Sequence, residues 1–197
     1  FKDGPVMQNV MTGDELDRFK VLGPRGHEAD GGRYIGTGVS VITRDPDTGW
    51  VNYGTYRSMI QTKNIISNYS SPGKHGTIHR NKYWKRGEPC PVAMSFGSEG
   101  MLFGLSTMAL PSGMGELEVA GFLAGEPVDI IEGPITGLPI PATAEIVVEG
   151  FSPVEKTMLE GPFGEWTGYY ASGANGCIWG VTSQTVSQGG NGSIIVA

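Results

Sequence analysis

The chain has 197 residues, 39% of them hydrophobic, and its 14 Lys and Arg against 20 Asp and Glu leave a net charge of −6. That length holds one domain or at most two small ones, and the balance is too apolar and too weakly charged for a disordered chain. The acidic sign argues against a nucleic-acid or anionic-membrane partner, while 32 glycines and 13 prolines without a Gly-X-Y period exclude collagen and long unbroken helices.

Residues 1–32 are polar and punctuated by glycine, with a weak helical start at Thr12, and read as an opening loop. From residue 34 a β-branched stretch runs to Thr43, a turn of Asp, Pro and Gly follows at 45–49, and strand composition resumes over 50–57, which together predict a β-hairpin. Alternation puts Trp50, Asn52, Gly54 and Tyr56 on one face of it. Further strands are expected over 90–96, 127–131 and 144–149, with short helices over 99–108 and 116–123, the second ended by Gly125. Short helices among many strands point to a β-rich α+β domain built on an antiparallel sheet or barrel. After Ala171 the composition turns to Gly, Ser, Asn and Gln, so 171–197 is expected to be a mobile or surface tail, or to add one edge strand.

Two cysteines, Cys90 and Cys177, lie far apart outside any CxxC or Cys/His spacing. Neither a disulfide framework nor a zinc site is expected, and a reducing cytoplasm is the default location. No apolar run reaches the ~18 residues of a membrane span, and no signal peptide opens the chain. The chain begins at Phe1 without a methionine and so reads as a fragment or a processed form.

The densest chemistry lies in 160–170, Glu-Gly-Pro-Phe-Gly-Glu-Trp-Thr-Gly-Tyr-Tyr. Glycine and proline keep Glu160 and Glu165 off a regular helix and surround them with rings, and apolar surroundings with a like-charged neighbour favour one protonated carboxyl, the form a proton donor needs. The alternative is a turn with two solvated glutamates. Asn52, His75 and Glu116 offer an amide oxygen, an imidazole and a carboxylate suited to Mn²⁺ or Mg²⁺, His75 being placed in a glycine-flanked loop; the plainer alternative is a hydrogen-bonded histidine, the reading given to His27 and His79. Arg57, at the end of the hairpin, could pair with a carboxylate or orient a substrate carboxylate. Gly36 and Gly38 lack the spacing of a dinucleotide fingerprint.

Taken together, residues 34–57, 72–76, 116–121 and 160–170 resemble, in order and spacing, the UbiD-type decarboxylases, enzymes dependent on prenylated flavin mononucleotide. The resemblance covers about 33–170 and implies a split β-barrel flavin-binding domain with short helices. It implies that Arg57, Glu160 and Glu165 are the catalytic trio, with Glu165 supplying the proton that replaces CO₂. It implies Asn52, His75 and Glu116 as divalent metal ligands, Glu118 being the substitute in another helix register, and a potassium ion held by carbonyls of Trp50 and 106–108. Thr37, Gly38, Val39, Ser106, Thr107 and Met108 would line prenylated FMN or FMN, with Asn52, Arg57 and Lys74 as further contacts. The implied substrate is an aromatic or α,β-unsaturated carboxylic acid, the cofactor supplier a flavin prenyltransferase, and full-length members would form homo-oligomers. Family members carry domains on either side of this segment, so a non-catalytic flavin- or metal-binding module is the competing class and a ligand-free β-domain the third.

Overall fold

The computed structural model describes residues 4–12, 23–62, 65–154, 158–171, 180–183 and 193–196. A six-stranded antiparallel sheet runs in the order β1 (Asn9–Thr12), β14 (Ser193–Val196), β10 (Ile146–Ser152), β7 (Cys90–Phe96), β3 (Val39–Arg44) and β4 (Val51–Gly54). A four-stranded antiparallel sheet runs β13 (Gly180–Ser183), β6 (Ile65–Tyr69), β5 (Ser58–Thr62) and β2 (Arg33–Gly36). Two short hairpins, β8 (Ile130–Glu132) with β9 (Pro139–Pro141) and β11 (Phe163–Gly164) with β12 (Tyr170–Ala171), three α-helices, α1 (His75–Lys85), α2 (Gly100–Ser106) and α3 (Glu116–Ala124), and a single 3-10 turn at Pro5–Met7 complete the described elements. The α+β, sheet-dominated class is as expected. Among the described residues the strand pairing does not run round into a closed barrel.

The stretch 34–43, expected as one strand, falls in two strands of different sheets: the chain leaves β2, crosses at Thr37 and Gly38, and enters β3. It returns from β4 to β5 through Thr55, Tyr56 and Arg57. Both crossings need glycine, because a Cβ on Gly36 would stand 2.5 Å from the Phe96 ring and one on Gly54 2.4 Å from the Tyr56 hydroxyl. Thr37 and Gly38, and Arg57, therefore lie where the chain changes sheet.

Alternation along the six-stranded sheet buries both faces. Ile42, Ala93 and Val147 pack with Leu102, Leu105 and Ala120 of α2 and α3 and with Ile131 and Ile140 of the β8–β9 hairpin. Their neighbours Val41, Val92, Met94 and Val148 pack with Tyr56 and Ile66 on the side of the other sheet. A sheet covered on both sides gives its strands rigid positions from which loops can carry function.

Several elements differ from expectation. His75 is the first residue of an eleven-residue helix rather than part of a loop; the Gly, Thr and basic residues of that helix make no apolar stripe for a sequence reading to follow. Strands β5 and β6 were not expected. Helix α2 starts one residue after its N-cap, Glu99, whose carboxylate accepts from the amides of Met101 and Leu102 at 2.8 and 3.1 Å. It ends at Ser106, so Thr107 and Met108 lie beyond it. Gly125 does end α3, at φ +77°. In the closing segment β13 lies at a sheet edge, but β14 is paired on both sides, between β1 and β10, and is not an edge strand. Cys177, Ile178 and Trp179 lie outside the described residues.

Charge fixes α1 against the β3–β4 turn. Lys82 Nζ reaches Asp45 Oδ2 at 2.6 Å and Asp47 Oδ2 at 3.0 Å, and Arg86 also pairs with Asp47. Beneath them His79 is buried, its Nδ1 3.0 Å from Thr43 Oγ1, and burial drives its pKa down from 6.5 to about 4. The native state thus holds His79 neutral while the unfolded chain takes up a proton below pH 6.5, so this contribution to stability is complete above pH 6.5 and is lost as pH falls towards 4. Denaturant unfolding between pH 7 and 5 should show that decline, and His79→Gln should flatten it; an unchanged slope in the variant would assign the decline elsewhere. In the core, Ile42→Ala should lower unfolding free energy by ~2–5 kcal/mol, whereas Phe122→Ala, at a side chain 85% exposed, should stay within ~0.5 kcal/mol in the same urea titration.

Candidate active site

Arg57 stands at the second crossing between the sheets. Its Nε and Nη2 donate to the two oxygens of Glu160, each at 2.8 Å, and its Nη1 donates to Glu165 Oε1 at 3.1 Å. The guanidinium lies 4.4 Å from the Tyr69 ring centre and 4.9 Å from that of Phe163, so flat apolar surfaces hold the fork in place. Burial alone would weaken the arginine's hold on its proton, but the hydrogen bonds and charge of Glu160 outweigh it and raise the pKa. Tyr34 donates its hydroxyl to Glu160 Oε1 at 2.6 Å, and burial together with that carboxylate raises the phenol's pKa, keeping it a donor.

The two glutamates are not equivalent. Glu160 is fully buried and spends both oxygens on Arg57 and Tyr34, whereas Glu165 is 38% exposed and makes one contact with Arg57. Glu165 sits in the turn of the β11–β12 hairpin, its amide donating to Tyr169 O at 2.8 Å and its carbonyl accepting from Gly168 N at 3.0 Å. The opening segment clamps that hairpin. Asp30 Oδ1 accepts from Gly164 N at 2.8 Å, its Oδ2 accepts from His27 N at 2.8 Å, and Gly31 N donates to Pro162 O at 2.7 Å. Burial would raise the Asp30 pKa, but these amide donors prevail and lower it.

A second constellation lines a cleft of about 380 Å³. Asn52, Lys74, His75, Ser106, Thr107 and Met108 face it, as do Tyr56 and Gly73. His75 Nδ1 is 3.2 Å from Asn52 Oδ1, while Asn52 Nδ2 is buried beside Tyr56 without a well-formed hydrogen bond. Glu116, the first residue of α3, is buried and accepts from Tyr53 N, next in the chain to Asn52, at 2.9 Å; burial raises its pKa, opposed by the amides of Tyr53 and Glu116. Glu118 is exposed, so the helix register turns Glu116 inward. Ser106 ties the end of α2 to both crossings, its Oγ 3.0 Å from Ser40 Oγ and 3.1 Å from Thr55 Oγ1, and its carbonyl accepting from Thr55 N at 2.9 Å. Helix α1 points its N-terminus at the cleft with no side-chain cap on Lys74.

The remaining expected residues are placed less directly. Val39 is wholly buried in the core, so its side chain cannot be a pocket wall, and Thr37 and Gly38 are exposed outside the cleft lining. The Trp50 carbonyl accepts from Asp45 N at 2.7 Å, and its ring stands edge-on to His75 and His79. Among the described residues no three His, Cys, Asp or Glu side chains converge as a metal site. Tyr34, Tyr69, Phe163 and Asp30 were not singled out by the sequence. Tyr34 had a legible signal, an aromatic in strand composition, but its partner lies 126 positions away.

Solved structures share this fold. An evolved dimeric form of the UbiD-class enzyme HmfF from Pelotomaculum thermopropionicum, in complex with prFMN, superposes with a TM-score of 0.84 at 27% identity over 98% of this chain and 42% of that one. Vanillic acid decarboxylase of Sedimentibacter hydroxybenzoicus in its closed form gives 0.85 at 26% identity over 98% and 40%. In sequence, pyrrole-2-carboxylic acid decarboxylase of Pseudomonas aeruginosa is 37% identical over 166 residues, 84% of this chain and 34% of that protein. Phenolic acid decarboxylase of Streptomyces sp. strain D7 is 34% identical over 178 residues, 87% and 37%. The chain belongs to the UbiD family: residues 1–187 match its 3-octaprenyl-4-hydroxybenzoate carboxy-lyase Rift-related domain. It spans about a third of the length of these curated relatives.

The geometry separates Arg57 from Glu165 in stability. Arg57→Ala would strand the buried Glu160 carboxylate and should cost ~3–5 kcal/mol in urea unfolding. Glu165→Gln, at a partly exposed group with one contact, should cost no more than ~1 kcal/mol. Equal, small losses in both variants would contradict this division.

Proposed function

We propose that the chain forms the cofactor-binding and catalytic core of a reversible, non-oxidative decarboxylase acting on an aromatic or α,β-unsaturated carboxylic acid. The observation that carries this reading is the asymmetric fork of Arg57 on Glu160 and Glu165, which leaves one glutamate structural and the other reachable. The named activities of the curated relatives support it. In this reading the two sheets are halves of the split barrel that the sequence resemblance implies.

The cleft fits a phosphorylated flavin. The N-terminus of α1, without a side-chain cap from Lys74 and with the Gly76 amide donating to Tyr56 Oη at 3.3 Å, would offer backbone donors to a phosphate, Lys74 adds a cation, and Ser106, Thr107 and Met108 line the same cleft. Asn52 Oδ1, 3.2 Å from His75 Nδ1, would join that imidazole in holding a divalent Mn²⁺ or Mg²⁺ beside the phosphate, with Glu116 as the carboxylate ligand once released from Tyr53 N. A potassium site would draw on the carbonyls of Trp50 and 106–108. Prenylated FMN, made by a flavin prenyltransferase, would serve as the electron sink when bound.

The chain's own residues handle orientation and the proton. Arg57, held flat between Tyr69 and Phe163, presents a fixed positive charge, and Glu160 and Tyr34 stop it from swinging away. When the bond to the carboxyl carbon breaks and CO₂ leaves with no net oxidation, the carbon retains the electron pair and takes a proton from Glu165, whose carboxylate is reprotonated from solvent through its exposed side. In the reverse direction Glu165 removes that proton. Glu165 is thus the general acid, Arg57 its electrostatic partner, and Glu160 the brace of Arg57.

Glu165→Gln keeps size and polarity but carries no transferable proton. In protein loaded with prenylated FMN, CO₂ release from pyrrole-carboxylate, cinnamate-like and hydroxybenzoate-like acids should fall by about 10²–10⁴, with the visible absorbance of the bound flavin unchanged. Rates close to wild type would refute the role of Glu165, and loss of the flavin would reassign the residue to the pocket wall.

A further inference from the structure

On the face of α1 away from His75, the guanidinium of Arg80 is buried in the protein interior. The residue is only 7% exposed, its Nη1 has no hydrogen-bond partner, and among the described residues no carboxylate pairs with it. Its Nε and Nη2 reach only the neutral Asn81 Oδ1, at 3.3 and 3.0 Å, and its plane stacks 4.5 Å from the Trp84 ring centre. The titratable group nearest in effect is Cys90, and burial raises that thiol's pKa to about 12, so it brings no negative charge. A buried charge without a counter-charge costs several kcal/mol.

Arg80 borders a small cavity of about 20 Å³ whose walls include Thr43, Asn68, Ser70, Thr77 and Ser152, and no Asp or Glu. The wall residue Ser152 is 0% exposed, and its hydroxyl is likewise without a partner. Two buried donors without a hydrogen bond, Arg80 Nη1 and the Ser152 hydroxyl, thus belong to residues that line one cavity. The volume admits one water-sized or slightly larger particle. The first turn of α1, with Gly76 and Thr77 in the cavity wall, adds the positive end of the helix dipole. A water could accept from both donors but would leave the charge of Arg80 uncompensated; a monatomic anion satisfies both requirements.

We propose that this cavity is a binding site for a single halide ion, chloride in practice, held by Arg80 Nη1 and Ser152 Oγ between α1 and the end of β10. The site lies behind Tyr56, which also borders the cleft on its other side. Halide occupancy thus supports the wall of the cleft without reaching into it.

The test is the thermal unfolding midpoint of the intact chain at fixed potassium concentration and ionic strength while gluconate is exchanged for chloride or bromide. The midpoint should rise saturably with either halide. Arg80→Met, which keeps the stem and stacking but removes the charge, should abolish the halide dependence, and Ser152→Ala should shift it to higher halide concentration. Bromide-soaked crystals should show an anomalous peak in the cavity beside Arg80 Nη1. A midpoint indifferent to halide in the wild-type chain, or bromide peaks on the surface alone, would overturn the proposal and leave a lone water in the cavity.

Discussion

Everything proposed for the site depends on one buried ion pair. Arg57 is the only cation recorded within hydrogen-bonding reach of Glu160 among the described residues, and Glu160 takes two of its three donor directions. Removing a carboxylate from water is expensive unless its partner meets it with good geometry, and the bidentate fork with a tyrosine donor supplies that geometry. The remaining Arg57 donor reaches Glu165, and the chemistry follows from that remainder. A fork with two equal partners would make neither glutamate free; this one fixes Glu160 and leaves Glu165 partly in solvent.

The fold positions the pair by bringing four distant stretches together. Tyr34 comes from one strand of the smaller sheet, Arg57 from the crossing between sheets, Tyr69 from the end of β6, and both glutamates from the segment leading into and turning within the β11–β12 hairpin. The hairpin is hydrogen-bonded to the opening loop through Asp30 and Gly31, and Phe163 packs edge-on against Tyr34. Such hydrogen-bonded attachment suits a segment that must admit a substrate, because it is locally less stable than the two-sided sheet beneath it. The cleft lined by Asn52, His75 and Ser106 lies along the same crossing, so Thr55 and Tyr56 connect the proposed cofactor phosphate region to Arg57.

Much of this was legible in the sequence, and the limits have physical causes. Glu160 and Glu165 stood out through the glycine, proline and rings around them and Arg57 through its place at the end of the hairpin; the family resemblance joined the three, and the structure brings them together. The hairpin of β3 and β4 was legible from its turn chemistry, and the end of α3 from Gly125. Helix α1 was not, because its buried residues include Thr77, His79 and Arg80 rather than an apolar stripe. The break between β2 and β3 was hidden because both halves are β-branched and only steric contact at Gly36 reveals the crossing. Val39 was placed beside the flavin by the family resemblance, and alternation across the crossing turns its side chain into the core. The central position of β14 could not be read from a tail rich in Gly and Ser, since pairing partners are a property of the whole sheet.

The most direct test of the central claim, that Glu165 moves the proton while Glu160 only braces Arg57, is proton exchange at the product carbon. With the flavin-loaded protein in D₂O and decarboxylated product added, NMR should show deuterium entering the carbon that bore the carboxyl group, and Glu165→Gln should abolish that exchange without loss of flavin. Exchange continuing at the wild-type rate in Glu165→Gln would contradict the account.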